Sequence, residues 1–426
     1  MEYIPISIVL ILYFTGIPIA YALLGASIVY FTFIDSGMPA DLVLQRFITA
    51  TASFPLLAIP FFIMAGSVMN YSGISRKLMQ MASVLTGHLS GGLAQVNVVL
   101  STMMGGVSGS ANADAAMQSK ILVPQMIKSG YSGAFSSAIT AASSAISPVI
   151  PPGIVLIIYA LIAQVSVGKM FIAGYVPGLI MAFSLMITIS IIAKKRGYKP
   201  ARDKKAKINE VGHQFIESIW ALALPFGIIL GLRLGLFTPT EAGAVAVLAS
   251  IIIGVFIYKE LKVSHFVPII KDTIYGTGSV VLIIVAASVF GYYLTWERIP
   301  QALTESLVAI TDNKYVMLAI LNVLLLILGM LIEGGAAMII IAPLVVPVAL
   351  HLGIDPIHFG MVVIVNIMLG GITPPFGSMM FTTCSVTKVA IGDFVKEIWP
   401  FILALFTSLM IITYVPSLVL FLPNLL

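Results

Sequence analysis

Two short polar stretches interrupt a very apolar chain, and their residue types suit the holding of ions. The first is GGVSGSANADAAM, Gly105–Met117. It offers hydroxyls at Ser108 and Ser110, an amide at Asn112 and a carboxylate at Asp114. The glycines at 105, 106 and 109 permit a tight reversal, because glycine reaches positive φ without strain. The second is LIEGGAAM, with Glu333, Gly334 and Gly335. A serine such as Ser110 can cap the helix that leaves the turn. The N-terminus of that helix then presents N–H donors and a positive dipole end, a setting that favours an anion. Hydroxyls and unpaired carbonyls in the same turn are ligands for a hard cation such as Na⁺.

Two further stretches carry prolines where a helix would otherwise continue. SSAISPVIPPG, Ser143–Gly153, has three, and GGITPPFGS, Gly370–Ser378, has two. A proline inside a helix removes an N–H and clashes with the carbonyl one turn back. Adjacent prolines should therefore unwind the chain and expose carbonyls near Ser147 and Thr373. The expected chemistry is binding. One cation site would use Ser108, Ser110, Asn112 and Ser147, and a second Gly334, Gly335, Gly370 and Thr373. A substrate would lie between them, near Asn112, Asp114, Pro152 and Pro375. Asp114 has a second reading, as a dipole partner for its own helix, and Glu333 has one as a capping carboxylate.

The surrounding chain must place these stretches in a membrane. Of 426 residues 59% are hydrophobic and 9% charged, against about 25% charged in soluble domains. Apolar stretches long enough for, or close to, a crossing of the hydrocarbon recur at Ile4–Ile34, Phe54–Met69, Val167–Ala193, Ile216–Leu236, Ala242–Tyr258, Thr273–Leu294 and Glu397–Leu420. The expected fold class is an all-α polytopic membrane protein. Ile4–Ile34 lacks a basic n-region and an A-x-A site, so it reads as one retained span. Cys384 is the single cysteine, which excludes an intrachain disulfide and a thiolate cluster. The net charge of +5 sits mostly in Lys194–Lys207. Between two spans this basic tract is the positive-inside signal for a cytoplasmic loop, with no nucleic-acid partner implied.

The polar stretches belong to an internal repeat. Pro151-Pro152 and Pro374-Pro375 are 223 positions apart, and the same offset takes Pro124 to Pro347, Gly130 to Gly353, Phe171 to Phe394 and Pro177 to Pro400. Each copy reads as two spans, a surface helix, a re-entrant hairpin, a broken span and a final span. The first copy covers 1–194, with the surface helix at 75–88, the hairpin at about 89–128, the broken span at about 132–165 and a span at 167–193. A linking segment, 195–237, holds the basic loop and one extra span. The second copy covers 238–426, with the surface helix at 298–311, the hairpin at about 314–351, the broken span at about 356–385 and a C-terminal span. One extra crossing inverts the second copy, with the N-terminus cytoplasmic and the C-terminus periplasmic. Lys259, Lys262, Lys271 and Lys388 then also fall inside. Inverted repeats with discontinuous helices around a midplane site are the pattern of a secondary transporter. Irregular backbone is tolerated at that depth only where it is buried or faces a polar cavity.

The stretches GSANADAAMQSKILVPQM (Gly109–Met126), SPVIPPG (Ser147–Gly153), EGGAAMIIIAPLVVP (Glu333–Pro347) and GGITPPFG (Gly370–Gly377) resemble the large membrane subunit of tripartite ATP-independent periplasmic (TRAP) transporters. The resemblance covers essentially the whole chain. It implies Na⁺-driven import of an organic anion across the bacterial inner membrane by an elevator mechanism. It implies a small four-helix membrane subunit and a periplasmic substrate-binding protein as partners, the lipid bilayer as surroundings, and no cofactor beyond the coupling ion. Overall likeness favours sialic acid, with C4-dicarboxylates and related carboxylates as the other substrates. Related divalent-anion/sodium symporters carry a Ser-Asn-Thr triplet at each tip, whereas the tips here are Ser110-Ala111-Asn112 and Glu333-Gly334-Gly335. Two other readings compete. A stand-alone Na⁺/H⁺ or oxyanion exchanger would share the architecture. GVSG, Gly106–Gly109, also matches the G-x-S-G of rhomboid-type intramembrane proteases, whose serine needs a histidine base within reach.

Overall fold

The computed structural model describes residues 3–34, 40–52, 54–202 and 204–425, and for 40–42, 54–55 and 107–108 the backbone alone. Helices make up the fold, and no strand occurs among the described residues. In the first half they are α1 (Ile4–Phe14), α2 (Ile19–Val29), α3 (Ala40–Thr51), α4 (Ala58–Tyr71), α5 (Ile74–Thr86), α6 (Gly92–Ser108), α7 (Ala111–Lys128), α8 (Gly133–Ser144), α9 (Ile154–Ile162) and α10 (Val167–Arg196). After α11 (Ile208–Arg233) come α12 (Pro239–Ile252), α13 (Phe266–Trp296), α14 (Ile299–Ile310), α15 (Lys314–Leu331), α16 (Gly334–His351), α17 (Pro356–Gly370), α18 (Ser378–Thr387), α19 (Ile391–Tyr414) and α20 (Pro416–Leu425). Among the described residues seven helical stretches are long and apolar enough to cross a bilayer.

The backbone recurs at the spacing of the sequence motifs. α7 and α16 start 223 positions apart, and so do α8 and α17. The π-helical turns Tyr30–Ile34, after α2, and Ile253–Ile257, after α12, keep the same spacing. Gly130 and Gly353, one at the foot of each hairpin, both have positive φ. Pro151-Pro152 and Pro374-Pro375 are both cis.

Two segments differ from the sequence expectation. Ile4–Ile34 is not one span. Gly16 has φ of +90° and Pro18 precedes α2 without an N–H to offer α1, so α1 and α2 fold back on one another. The segment expected as one continuous span is thus two helices, Ile4–Phe14 and Ile19–Val29. Glu397–Leu420 is also divided: α19 ends at Tyr414, and Pro416 starts the separate helix α20.

The core is built around the two broken segments. In α17 every residue from His358 to Gly370 is buried, and in α8 every residue from Phe135 to Ser144. A helix covered on all sides must satisfy its polar groups internally. In α8 the Thr140 hydroxyl donates to Ser136 O at 2.8 Å and the Ser144 hydroxyl to Ala141 O at 2.8 Å. Across the interface to α6, Asn97 donates to Thr140 Oγ1 at 2.7 Å and Ser143 donates to Asn97 Oδ1 at 2.6 Å. These bonds fix the first hairpin against the helix that leads into the first break.

Candidate functional site

Each hairpin turns in two residues, by a different device. After α6, Gly109 takes φ of +56° and Ser110 is extended. A Cβ on Gly109 would sit 2.8 Å from the Pro152 carbonyl, so this position needs glycine both for its dihedral and for its contact. Ser110 Oγ accepts the Ala113 N–H at 3.4 Å, capping α7. At the second turn Glu333 is the cap. Its carboxylate accepts the N–H groups of Gly335 at 3.2 Å and Ala336 at 3.4 Å. The start of α16 is therefore met by the Glu333 carboxylate at its cap, while α7 has the Ser110 hydroxyl at its cap and the Asp114 carboxylate in its first turn. The Asp114 carboxylate is turned into the hairpin, so the first tip presents a hydroxyl and an amide to the cavity, whereas the second presents the Glu333 carboxylate.

The two broken segments lie directly beneath the tips. From 145 to 153 the chain runs in turns, with Ile146 N–H bonded to Ser143 O and Val149 N–H to Ile146 O. A Cβ on Gly105 would lie 2.9 Å from the Ser147 carbonyl and 2.5 Å from Ile150 Cβ, so the first hairpin rests on this break. In the other half a Cβ on Gly370 would lie 2.4 Å from the carbonyl carbon of Gly329, backbone against backbone. Thr373 donates its hydroxyl to Leu369 O at 2.7 Å, which leaves the oxygen as an acceptor.

One cavity unites the tips. It occupies about 680 Å³ including its open mouth, and Ser110, Asn112, Glu333, Gly334 and Gly335 all line it, with Pro148 and Ser378 from the two breaks. The Thr382 hydroxyl, on α18, donates to Asn112 Oδ1 at 3.4 Å. Ser147, Gly370, Thr373 and Pro152 form the buried layer below. Asp114 is placed differently from the sequence expectation. It is fully buried inside the hairpin, behind the tip and off the cavity wall. Its carboxylate accepts from Ser101 Oγ at 2.8 Å and from Gln118 Nε2 at 2.8 Å, and Gln118 also donates to Ser101 Oγ at 2.6 Å. Pro375 is exposed and off the wall. The side chain of Ser108 lies outside the described residues. Sequence reading missed the α13 residues Val280 and Ile283 on the same wall, and Thr382, which reaches it only through Asn112. No local pattern marks them, because they reach the site through packing between elements distant in sequence. No cluster of three histidine, cysteine or acidic side chains that could hold a metal occurs among the described residues.

The motifs, the helical architecture and this cavity can now be set beside known proteins. A family model described as tripartite ATP-independent periplasmic transporter, DctM component, matches residues 6–418. The chain belongs to this family. Among its relatives, the sialic acid TRAP transporter permease protein SiaT of Haemophilus influenzae is 37% identical over 100% of this chain and 68% of its own length. The sialic acid TRAP transporter large permease protein SiaM of Vibrio cholerae is 35% identical over 97% of this chain and 96% of its own. The C4-dicarboxylate TRAP transporter large permease protein DctM of Rhodobacter capsulatus is 34% identical over 99% and 98%. In fold the chain is similar to the YdaH transporter of Alcanivorax borkumensis, with a TM-score of 0.64 at 15% identity, covering 96% of this chain and 97% of that one. This TRAP large permease is thus a transport protein and not an enzyme, which disposes of the protease reading of GVSG. It is a multi-pass inner-membrane protein.

Proposed function

We propose that this TRAP permease couples Na⁺ entry to the import of a small organic anion delivered by a periplasmic binding protein, alongside a small four-helix membrane subunit. The observation that carries the reading is the convergence of Ser110, Asn112, Glu333, Gly334 and Gly335 on one cavity. The tip of α7, with the Ser110 hydroxyl and the Asn112 amide on the cavity wall, receives the anion. The carbonyls and hydroxyls around Ser110, Asn112 and Ser147, and around Gly334, Gly335, Gly370 and Thr373, ligate Na⁺. The relatives are named for sialic acid, C4-dicarboxylates, isethionate and 2,3-diketo-L-gulonate. All of these are small organic acids, and overall likeness makes sialic acid the first to test. The two halves are inversely oriented in this reading. The hairpins and broken segments move together as a transport block against the scaffold, with α5 and α14 as connecting arms.

Uptake into proteoliposomes tests it. The chain is reconstituted with its small subunit, and binding proteins loaded with radiolabelled sialic acid or succinate are added outside. Uptake should require both an inward Na⁺ gradient and a binding protein. Uptake independent of Na⁺ refutes the coupling. Robust uptake by the chain alone supports the stand-alone exchanger instead.

A further inference from the structure

A second cavity adjoins the first. It occupies about 1050 Å³ including its mouth and lies between α3, α9, α13 and α16. Ile158 and Ile339 line both cavities. The continuity extends along a whole helix face. Val280 and Ile283 of α13 line the first cavity, and Ile284, Ser288, Tyr292 and Thr295 line the second. Val280, Ile284, Ser288, Tyr292 and Thr295 advance by three or four residues, with Ile283 beside them, so they form one stripe. From 280 to 295 the stripe spans about 22 Å. α9 and α16 follow the same course, from Ile154 to Ile162 and from Gly335 to Pro343.

The wall changes character along this path. Beside the shared isoleucines it is apolar, and toward the end of α13 it becomes polar, with Ser288, Tyr292 and Thr295. Among the described residues Arg46 is the one charged side chain on the wall of the second cavity. Its guanidinium lies over the Tyr292 ring, 4.4 Å from the centroid. Stacking on an aromatic face fixes the guanidinium plane and leaves its edge N–H groups directed to other acceptors. A planar fork of donors matches a carboxylate or sulfonate in two-point contact.

We propose that Arg46 and the polar end of α13 form a capture site for the organic anion, where its acidic group first docks before it passes Ile158 and Ile339 to the hairpin tips. The site rests on the reading of the chain as an anion importer. With the basic loop 194–207 cytoplasmic, the end of α13 lies at the outer side, where a binding protein would release its cargo. Arg46 selects for negative charge at the mouth and the tip of α7 completes recognition.

The test reads charge selection without transport. Ser288→Cys supplies a thiol on the cavity wall, in the full complex reconstituted in lipid. The unaltered chain, whose only cysteine, Cys384, is buried, serves as the blank. Modification rates are measured with a sulfonate-bearing methanethiosulfonate and with its trimethylammonium counterpart. The anionic reagent should be favoured, and Arg46→Gln should lower the anionic-to-cationic rate ratio by about fivefold, while Arg46→Lys keeps most of it. Thr295→Cys is the second reporter, used if Ser288→Cys does not assemble. A ratio unchanged by Arg46→Gln overturns the proposal. So does failure of both reagents to react at both positions, since the cavity would then be closed to water. The readout needs neither Na⁺ nor turnover, so loss of the sodium-coupling reading would leave it standing.

Discussion

The hydroxyl of Thr382 donates to the side-chain oxygen of Asn112, 270 positions earlier, and so ties a helix of the second half to the tip of the first hairpin. Asn112 faces the cavity with one side of its amide held by α18, which leaves its NH₂ group to meet an acceptor on the anion.

Lysine in place of Asn112 puts a charge and a longer stem into that contact. Asn112→Lys should abolish uptake while the protein still reaches the membrane at normal levels. Thr382→Val, which removes only the donor, should raise the concentration for half-maximal uptake several-fold. Both are measured by radiolabel uptake against membrane abundance on blots. Full activity of Asn112→Lys would remove that tip from the pathway.

Ser110 caps α7, and a lost cap costs about 1 kcal/mol. Ser110→Ala should therefore lower stability modestly and raise the Na⁺ concentration needed for uptake. Thr373→Val should raise the Na⁺ requirement with little effect on the tip itself. Sodium titrations of uptake check both. Unchanged dependence in the two variants would count against the cation sites.

Asp114 anchors a buried hydrogen-bonded triad with Ser101 and Gln118. Asp114→Ala leaves two buried donors without their acceptor, at about 1–3 kcal/mol each. Its melting temperature should fall clearly in thermal-shift assays of the purified complex. Asp114→Asn should lose less, because it keeps one acceptor and the Ser101 hydroxyl can rotate to accept from the new amide.

Gly370 faces the backbone of Gly329, where no flexible atom can give way. Gly370→Ala should prevent correct assembly of the second break, seen as loss of monodisperse protein in size-exclusion chromatography. Gly278→Ala, on α13 with open space around it, is the matched control. It should be neutral or slightly stabilising, since alanine favours a helix over glycine by up to about 1 kcal/mol.

The locations of the turns were legible in the sequence because their causes are local. Gly109, the capping residues Ser110 and Glu333, and the paired prolines each act on backbone within a turn of themselves, whereas Gly105 and Gly106, expected in the turn, lie inside α6 and pack against Ile150 and Pro225. Apolar composition likewise determined the membrane class without reference to any contact. The break at Gly16–Pro18 was also present in local chemistry, but the apolar run around it masked it, because hydropathy measures burial and not continuity.

The tertiary structure alone decided which residues face the cavity. Asp114 and Asn112 are two positions apart on one helix, so they point to different sides, and only packing against α6 and α18 determines which side is wall and which is interior. Val280, Ile283 and Arg46 reach their cavities, and Thr382 reaches Asn112, from elements far along the chain. Sequence spacing specifies where a helix starts and stops, whereas the partner of each face depends on how all the helices pack at once.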